Sequence, residues 1–183
     1  TNQTHKAHKA HKAHKTVEAI LTKGTQKVNN DNAFKFAEEI RTFNKMYGLP
    51  TPEYPPLDGV PEGATARLVS FSKTLTEEVE EILDVLALVG HAQATKSTGT
   101  QVAALTAIAD WLADIQIYAA SEMTKFGLNN DQVLRIVCES NLSKRQADGS
   151  TAYNENGKVL KGPNFFPPEP AIERHIRDRL GLD

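Results

Sequence analysis

The chain has 183 residues, 39% of them hydrophobic and 24% charged, and a formal net charge of −2. That length is one domain's worth of sequence, able to bury a core, and so even a charge balance argues against a nucleic-acid polymer as partner. Its one cysteine, Cys138, excludes an intrachain disulfide, fits a reducing compartment, and is read as a packing residue rather than a nucleophile.

The first fifteen residues repeat His-Lys-Ala from His5 to Lys15 without a large apolar side chain. Such low complexity cannot bury a core. Residues 1–26 are therefore set aside as an accessory tail and linker, whose imidazoles suit nickel or zinc rather than hard cations. A helical core is expected over 27–146 and a C-terminal extension over 147–183. The first helix is predicted over 31–47, capped by Asn30 or Asp31 and stopped by Gly48-Leu49-Pro50. The stretch from Pro50 to Gly63 holds five prolines and reads as a loop. A second helix is predicted over 64–90 with Gly90 as its stop, followed by a polar connection from Thr95 to Gly99. A third spans 100–126, ending near Gly127, and a fourth follows Asn129-Asn130-Asp131 and runs to 141. Residues 145–169 are rich in Gly, Pro and Asn, and a short helix is expected from Pro170 to Leu180. No strand pattern is convincing. The class is all-α: a helical hairpin bundle of four main helices with a Pro/Gly-rich extension. No apolar run reaches the roughly twenty residues that span a bilayer, and no secretory signal is visible, so a soluble, cytoplasmic protein without a membrane partner is expected.

Acids occupy costly positions on helices two and three. At about 100° per residue, Glu78 shares a face with Phe71, Leu75, Ile82, Val85 and Val89, and Glu81 lies at that face's edge. Asp110 and Asp114 project together, one turn apart, from a segment that is apolar all round, as in a buried helix. Buried charge has to be neutralised by a cation, by protonation or by a metal ion. Lys73 and Lys96 lie toward the helix ends, and four clustered oxygen donors suit magnesium or manganese. Glu80, opposite the stripe, reads as a solvated residue. Glu77, one turn before Glu81, is either a further ligand or a support for one.

Glu77-Glu78-Val79-Glu80-Glu81 followed by Asp110-Trp111-Leu112-Ala113-Asp114 resembles the all-α nucleoside triphosphate pyrophosphohydrolases, the MazG-like group that includes phosphoribosyl-ATP pyrophosphohydrolase. The family pattern is Glu-x-x-Glu on one helix and Glu-x-x-Asp on the next. Glu78, Glu81 and Asp114 match it, whereas Trp111 stands where the third acid belongs and Asp110, one residue earlier, is the substitute. Phe36 to Pro50 is similar to the first helix of these proteins, with its aromatic-Gly-Leu-Pro stop. Glu139 to Lys144 is similar to a segment that carries an asparagine and a basic residue toward the nucleotide, and Lys158 to Pro168 to the tail of a phage and bacterial subgroup.

The resemblance implies a homodimer or homotetramer that hydrolyses nucleoside triphosphates between the α- and β-phosphates, releasing a monophosphate and pyrophosphate in nucleotide-pool cleansing. Mg2+, or Mn2+, would bridge Glu78, Glu81, Asp110 and Asp114 to the phosphates and activate the attacking water. Glu77 or Glu78 would hold or deprotonate that water. Asn141 would contact sugar or base, Lys144 the phosphates, and Lys161, with Lys158, would fold over the site. Each of these three has an alternative: Asn141 as a helix end, Lys144 as a solvated residue, Lys161 as part of a surface loop. Tyr153, Phe165 and Phe166 either pack on a base or anchor the tail, and Trp111 and Tyr118 are read as core. No Gly-rich phosphate loop is present, and His91 and His175, the histidines outside the tail, are too dispersed for a catalytic metal centre. Two alternatives stand beside this reading: phosphoribosyl-ATP pyrophosphohydrolase, and a non-catalytic helical oligomer that keeps a metal site for stability or binding.

Overall fold

The computed structural model describes residues 35–57 and 63–182, so the tail and the cap expected at Asn30 or Asp31 lie outside the described residues. Among the described residues six helices follow in order: α1 Phe36–Met46, α2 Ala64–Glu80, α3 Ile82–Thr95, α4 Thr98–Lys125, α5 Asn130–Leu142 and α6 Glu169–Leu180. There is no strand among the described residues, only an isolated antiparallel bridge between Tyr153 and Val159. The chain forms two compact units. Of the described residues, one contains 66–118, and the other contains 35–57, 63–65 and 119–182; the boundary passes through α4 after Tyr118.

In the first unit the expected second helix is two helices. Regular α geometry stops at Glu80, Glu81 sits in a turn with φ −64° and ψ −15°, and α3 restarts at Ile82. The stripe behaves as its spacing predicts: Glu78 is buried, and Phe71, Leu75, Ile82, Val85 and Val89 are half-buried. Gly90 does not stop the helix. α3 continues through it to Thr95 and ends on Lys96 in the left-handed conformation, φ 54°. The Ser97 hydroxyl then accepts the Thr100 N–H at 3.2 Å, an N-terminal cap that starts α4.

α4 is 28 residues long and contains an 18-residue window of mean hydropathy 1.3, so by length and composition alone it is able to cross a membrane. This corrects the expectation that no run is long enough, which counted only unbroken apolar stretches. Asp110 and Asp114 interrupt the run, and each costs about 2.5–3.5 kcal/mol at the centre of a membrane helix. Much of the part of α4 that belongs to the first unit is exposed, Val102 at 57% and Leu105 at 65%. The all-round burial expected for it is not provided by the described residues.

The second unit is held by polar contacts closed to solvent. α1 presents Ile40 and Asn44 one turn apart, both buried, and packs on α5, which in turn packs on α6. Asn44, 0% exposed, donates to the Ser121 carbonyl at 3.1 Å and accepts the Ser121 hydroxyl at 2.6 Å. Asn129 caps α5 by accepting the Gln132 N–H at 2.9 Å. Buried Asn130 donates to the Ala120 carbonyl at 3.1 Å and the Thr124 hydroxyl at 2.9 Å. The proline-rich loop is pinned from two sides: Arg41 donates to Thr51 O at 2.8 Å and Pro52 O at 3.2 Å, and Arg179 on α6 donates to Glu53 O and to Gly127 O. Gly127 is required twice over there, because its φ is +68° and a Cβ would collide with the Tyr54 carbonyl.

Candidate functional site

All five proposed acids belong to the first unit. Glu78 is 8% exposed and Asp114 half-buried, whereas Glu77, Glu81 and Asp110 are exposed. Glu77 reaches back one turn to Lys73, 3.9 Å away. That pair is open to water and worth little, and it draws Glu77 toward solvent.

The remaining acids feel one another. Burial raises the pKa of Glu78, and the charges of Glu81, Asp114 and Asp110, in that order, raise it further. Asp114 is raised first by burial and then by Asp110. Glu78 on α2, Glu81 in the turn after it, and Asp110 and Asp114 on α4 therefore lie near enough for Glu78 to feel the other three charges, with no salt bridge to any of the four among the described residues. The side chains as placed do not yet grip an ion: among the described residues no three His, Cys, Asp or Glu groups converge closely enough to hold one. The donor set suits a hard divalent cation, since carboxylate oxygens are its preferred ligands and a cation would relieve repulsion that, among the described residues, no bonded lysine or arginine relieves.

Two aromatic residues read as core take part in this cluster. Tyr118 is at the edge of exposure, and its phenol is held above its usual range by burial and by the charges of Glu78, Asp114 and Glu81. It lies one turn after Asp114, so the same helical spacing that paired Asp110 with Asp114 points it to this face. Trp111 is half-buried, and its indole N–H donates to the Glu78 backbone carbonyl at 2.8 Å. That contact links residues 33 apart and has no local sequence signal.

The residues proposed for the substrate lie in the second unit. Lys144 Nζ donates to Asn141 Oδ1 at 2.6 Å at the end of α5, and Gly162 N donates to Lys144 O at 3.0 Å. Gly162 is needed for that approach, since a Cβ would strike the Arg145 carbonyl. Lys161, the neighbour of Gly162, places its ammonium 4.3 Å from the centre of the Phe165 ring. The tail is held by two serines that carried no functional reading: Ser140 donates to Phe166 O at 2.8 Å and Ser143 accepts Phe166 N–H at 3.2 Å. Asn141, Lys144 and Lys161 are thus gathered at one end of α5, and Phe165 serves the lysine.

No family model and no curated protein matches the chain. Among solved structures it is similar to a "putative NTP pyrophosphohydrolase" from Exiguobacterium sp. 255-15, with 23% identity over 81% of this chain and 98% of that one and a TM-score of 0.42. A likeness that slight carries no functional argument, which rests instead on the residues.

Proposed function

We propose that this protein is a magnesium-dependent nucleoside triphosphate pyrophosphohydrolase of the MazG-like class. One observation carries the reading: Glu78 is buried, and its burial first, then the charges of Glu81, Asp114 and Asp110 around it, push its pKa up. Glu78, Glu81, Asp110 and Asp114 would hold the ion. Magnesium, when bound, supplies Lewis acidity and cancels charge between the carboxylates and a polyphosphate.

The chain's own groups do the rest. Glu78, the buried acid of the group, would hold the attacking water or take its proton. Glu77 is the weaker choice for that role, because it is exposed and turned to Lys73. Lys144 supplies a point charge suited to phosphate, and Asn141 an amide that both donates and accepts. The reactants, nucleotides and magnesium, support a cytoplasmic setting. Exposed Leu83, Leu86, Val102 and Leu105 support a homodimer or a dimer of dimers, since a partner copy would cover them.

A second reading, a non-catalytic metal-binding helical oligomer, is favoured by Trp111 at the third acid's position and by the lack of three converged ligands among the described residues. Pyrophosphate release from a panel of canonical and noncanonical nucleoside triphosphates, with phosphoribosyl-ATP included, decides between them. Release that requires magnesium and disappears in a folded Asp114→Asn protein is expected. No release from any substrate in the panel leaves the second reading standing.

A further inference from the structure

We propose that Trp111 is a positioning residue: its indole N–H grips the peptide carbonyl of Glu78, and that grip sets the break between α2 and α3 that aims Glu78 and Glu81 toward Asp114. The inference rests on the proposed metal-binding role of those acids and concerns how this chain arranges them with a tryptophan at the expected position of the third.

The argument begins with the Glu78 carbonyl. In an unbroken helix such an oxygen accepts one backbone N–H four residues on. Here it accepts the Glu81 N–H, three residues on, at 3.1 Å, together with the Trp111 indole at 2.8 Å. A side chain inserted into the helical ladder is one of the few physical causes of a helix interruption, and here the interruption is the single turn residue Glu81, which keeps right-handed helical angles. Regular geometry ends two residues later, at Glu80. No proline or glycine stands between Thr74 and Val89 to cause the break instead.

The donor's own place completes the argument. Trp111 follows Asp110 directly and precedes Asp114 by three residues, so on α4 it shares a face with Asp114. A single hydrogen bond therefore ties the acid-bearing stretch of α4 to the peptide unit of the most buried acid on α2. A glutamate at this position would add a fifth negative charge to a group already raised by mutual repulsion. The tryptophan adds a clamp and no charge.

The test uses the full chain. Trp111→Phe keeps an aromatic ring and removes the donor. The chain has one tryptophan, so replacing it with the benzothiophene analogue, which exchanges N–H for sulfur at nearly constant shape, repeats the test if the phenylalanine variant does not fold. 5-Fluorotryptophan, which keeps the N–H, is the rescue. The readout is the magnesium concentration that gives half the rise in melting temperature, with pyrophosphate release measured alongside. Loss of the donor is expected to raise that midpoint about ten- to a hundredfold, as for other groups that orient metal ligands, while 5-fluorotryptophan leaves it at the wild-type value. A tryptophan that merely packs would lower the metal-free melting temperature and leave the midpoint unchanged, which overturns the proposal. A tighter midpoint in Trp111→Glu overturns it too, because the position would then be a missing ligand. A wild-type protein indifferent to magnesium removes the metal site itself, and this inference with it; a responsive wild type matched by both donor-less forms removes this inference alone.

Discussion

Lys144 and Asn141 are not independent groups: the lysine ammonium donates to the asparagine carbonyl oxygen at 2.6 Å across one turn of α5. Removing either frees the other, so their effects on substrate binding should be non-additive. Lys144→Ala is expected to weaken all triphosphates by a similar factor, corresponding to about 1.5–3 kcal/mol for a hydrogen bond to a charged group. Asn141→Ala is expected to change the ranking among nucleotides instead, because a directional contact is lost. kcat/KM for both single variants and the double variant across one nucleotide panel checks this; wild-type profiles in both singles would make this turn a helix end only.

The acid cluster predicts a pH dependence with a definite sign. Glu78 and Asp114 titrate above their ordinary values of 4.5 and 3.8 when folded, so the folded chain binds more protons than the unfolded one across that window. Metal-free stability should then fall as pH rises from the ordinary carboxylate range toward the raised values. Glu78→Gln and Asp114→Asn should be more stable than wild type at neutral pH in chelator, with the advantage shrinking as pH falls to about 4. Urea denaturation over that range checks it, and a constant difference would mean that repulsion is not the cause.

Magnesium should raise the melting temperature by mass action, with a stabilisation of about 2.7 kcal/mol at a hundredfold excess over Kd. Glu81→Ala should abolish the rise without unfolding the protein, because Glu81 occupies an exposed turn. Asp114→Asn should keep the helical signal in circular dichroism and lose turnover by orders of magnitude. Full magnesium response in Glu81→Ala would take that residue out of the site.

The second unit should be sensitive at Asn44. Asn44→Ala leaves both the Ser121 carbonyl and its hydroxyl without their partner in a site closed to water, at a cost of about 1–3 kcal/mol. Asn44→Ala combined with Ser121→Ala should recover part of that loss, and a double-mutant cycle by chemical denaturation measures it.

Helix existence was legible in the sequence because it is written in local spacing. The stripe of Phe71, Leu75, Glu78, Ile82, Val85 and Val89 identified both the buried face and the acid within it. The end of α1 at Gly48, φ +66°, follows from its Gly-Leu-Pro signal. What the sequence hid is non-local. The break at Glu81 coincides with an indole donor on another helix, and the end of α3 is made by Lys96 in a strained conformation and the Ser97 cap rather than by Gly90. Burial of α4 was expected from its composition, yet composition does not say which surface covers a helix. For the site, spacing paired the acids, and the same spacing carried the signal for Tyr118, a residue read as core, whereas Ser140 and Ser143 act through a backbone that only folding brings near.

Arg179 bridges the Glu53 carbonyl and the Gly127 carbonyl, and it stacks over Tyr54 with its guanidinium 5.5 Å from the ring centre. The first of these contacts joins positions 126 residues apart, and the whole of the first unit's helical sequence lies between them. Closing so long a loop is entropically slow and rewards the chain late. The proline-rich stretch should therefore lock only after the intervening helices have formed, and it should be among the first places to open. Native-state hydrogen exchange at residues 51–57 would then report a low-energy opening well below global unfolding. The guanidinium of α6 thus acts as a latch on folding order, apart from any part the chain plays in chemistry.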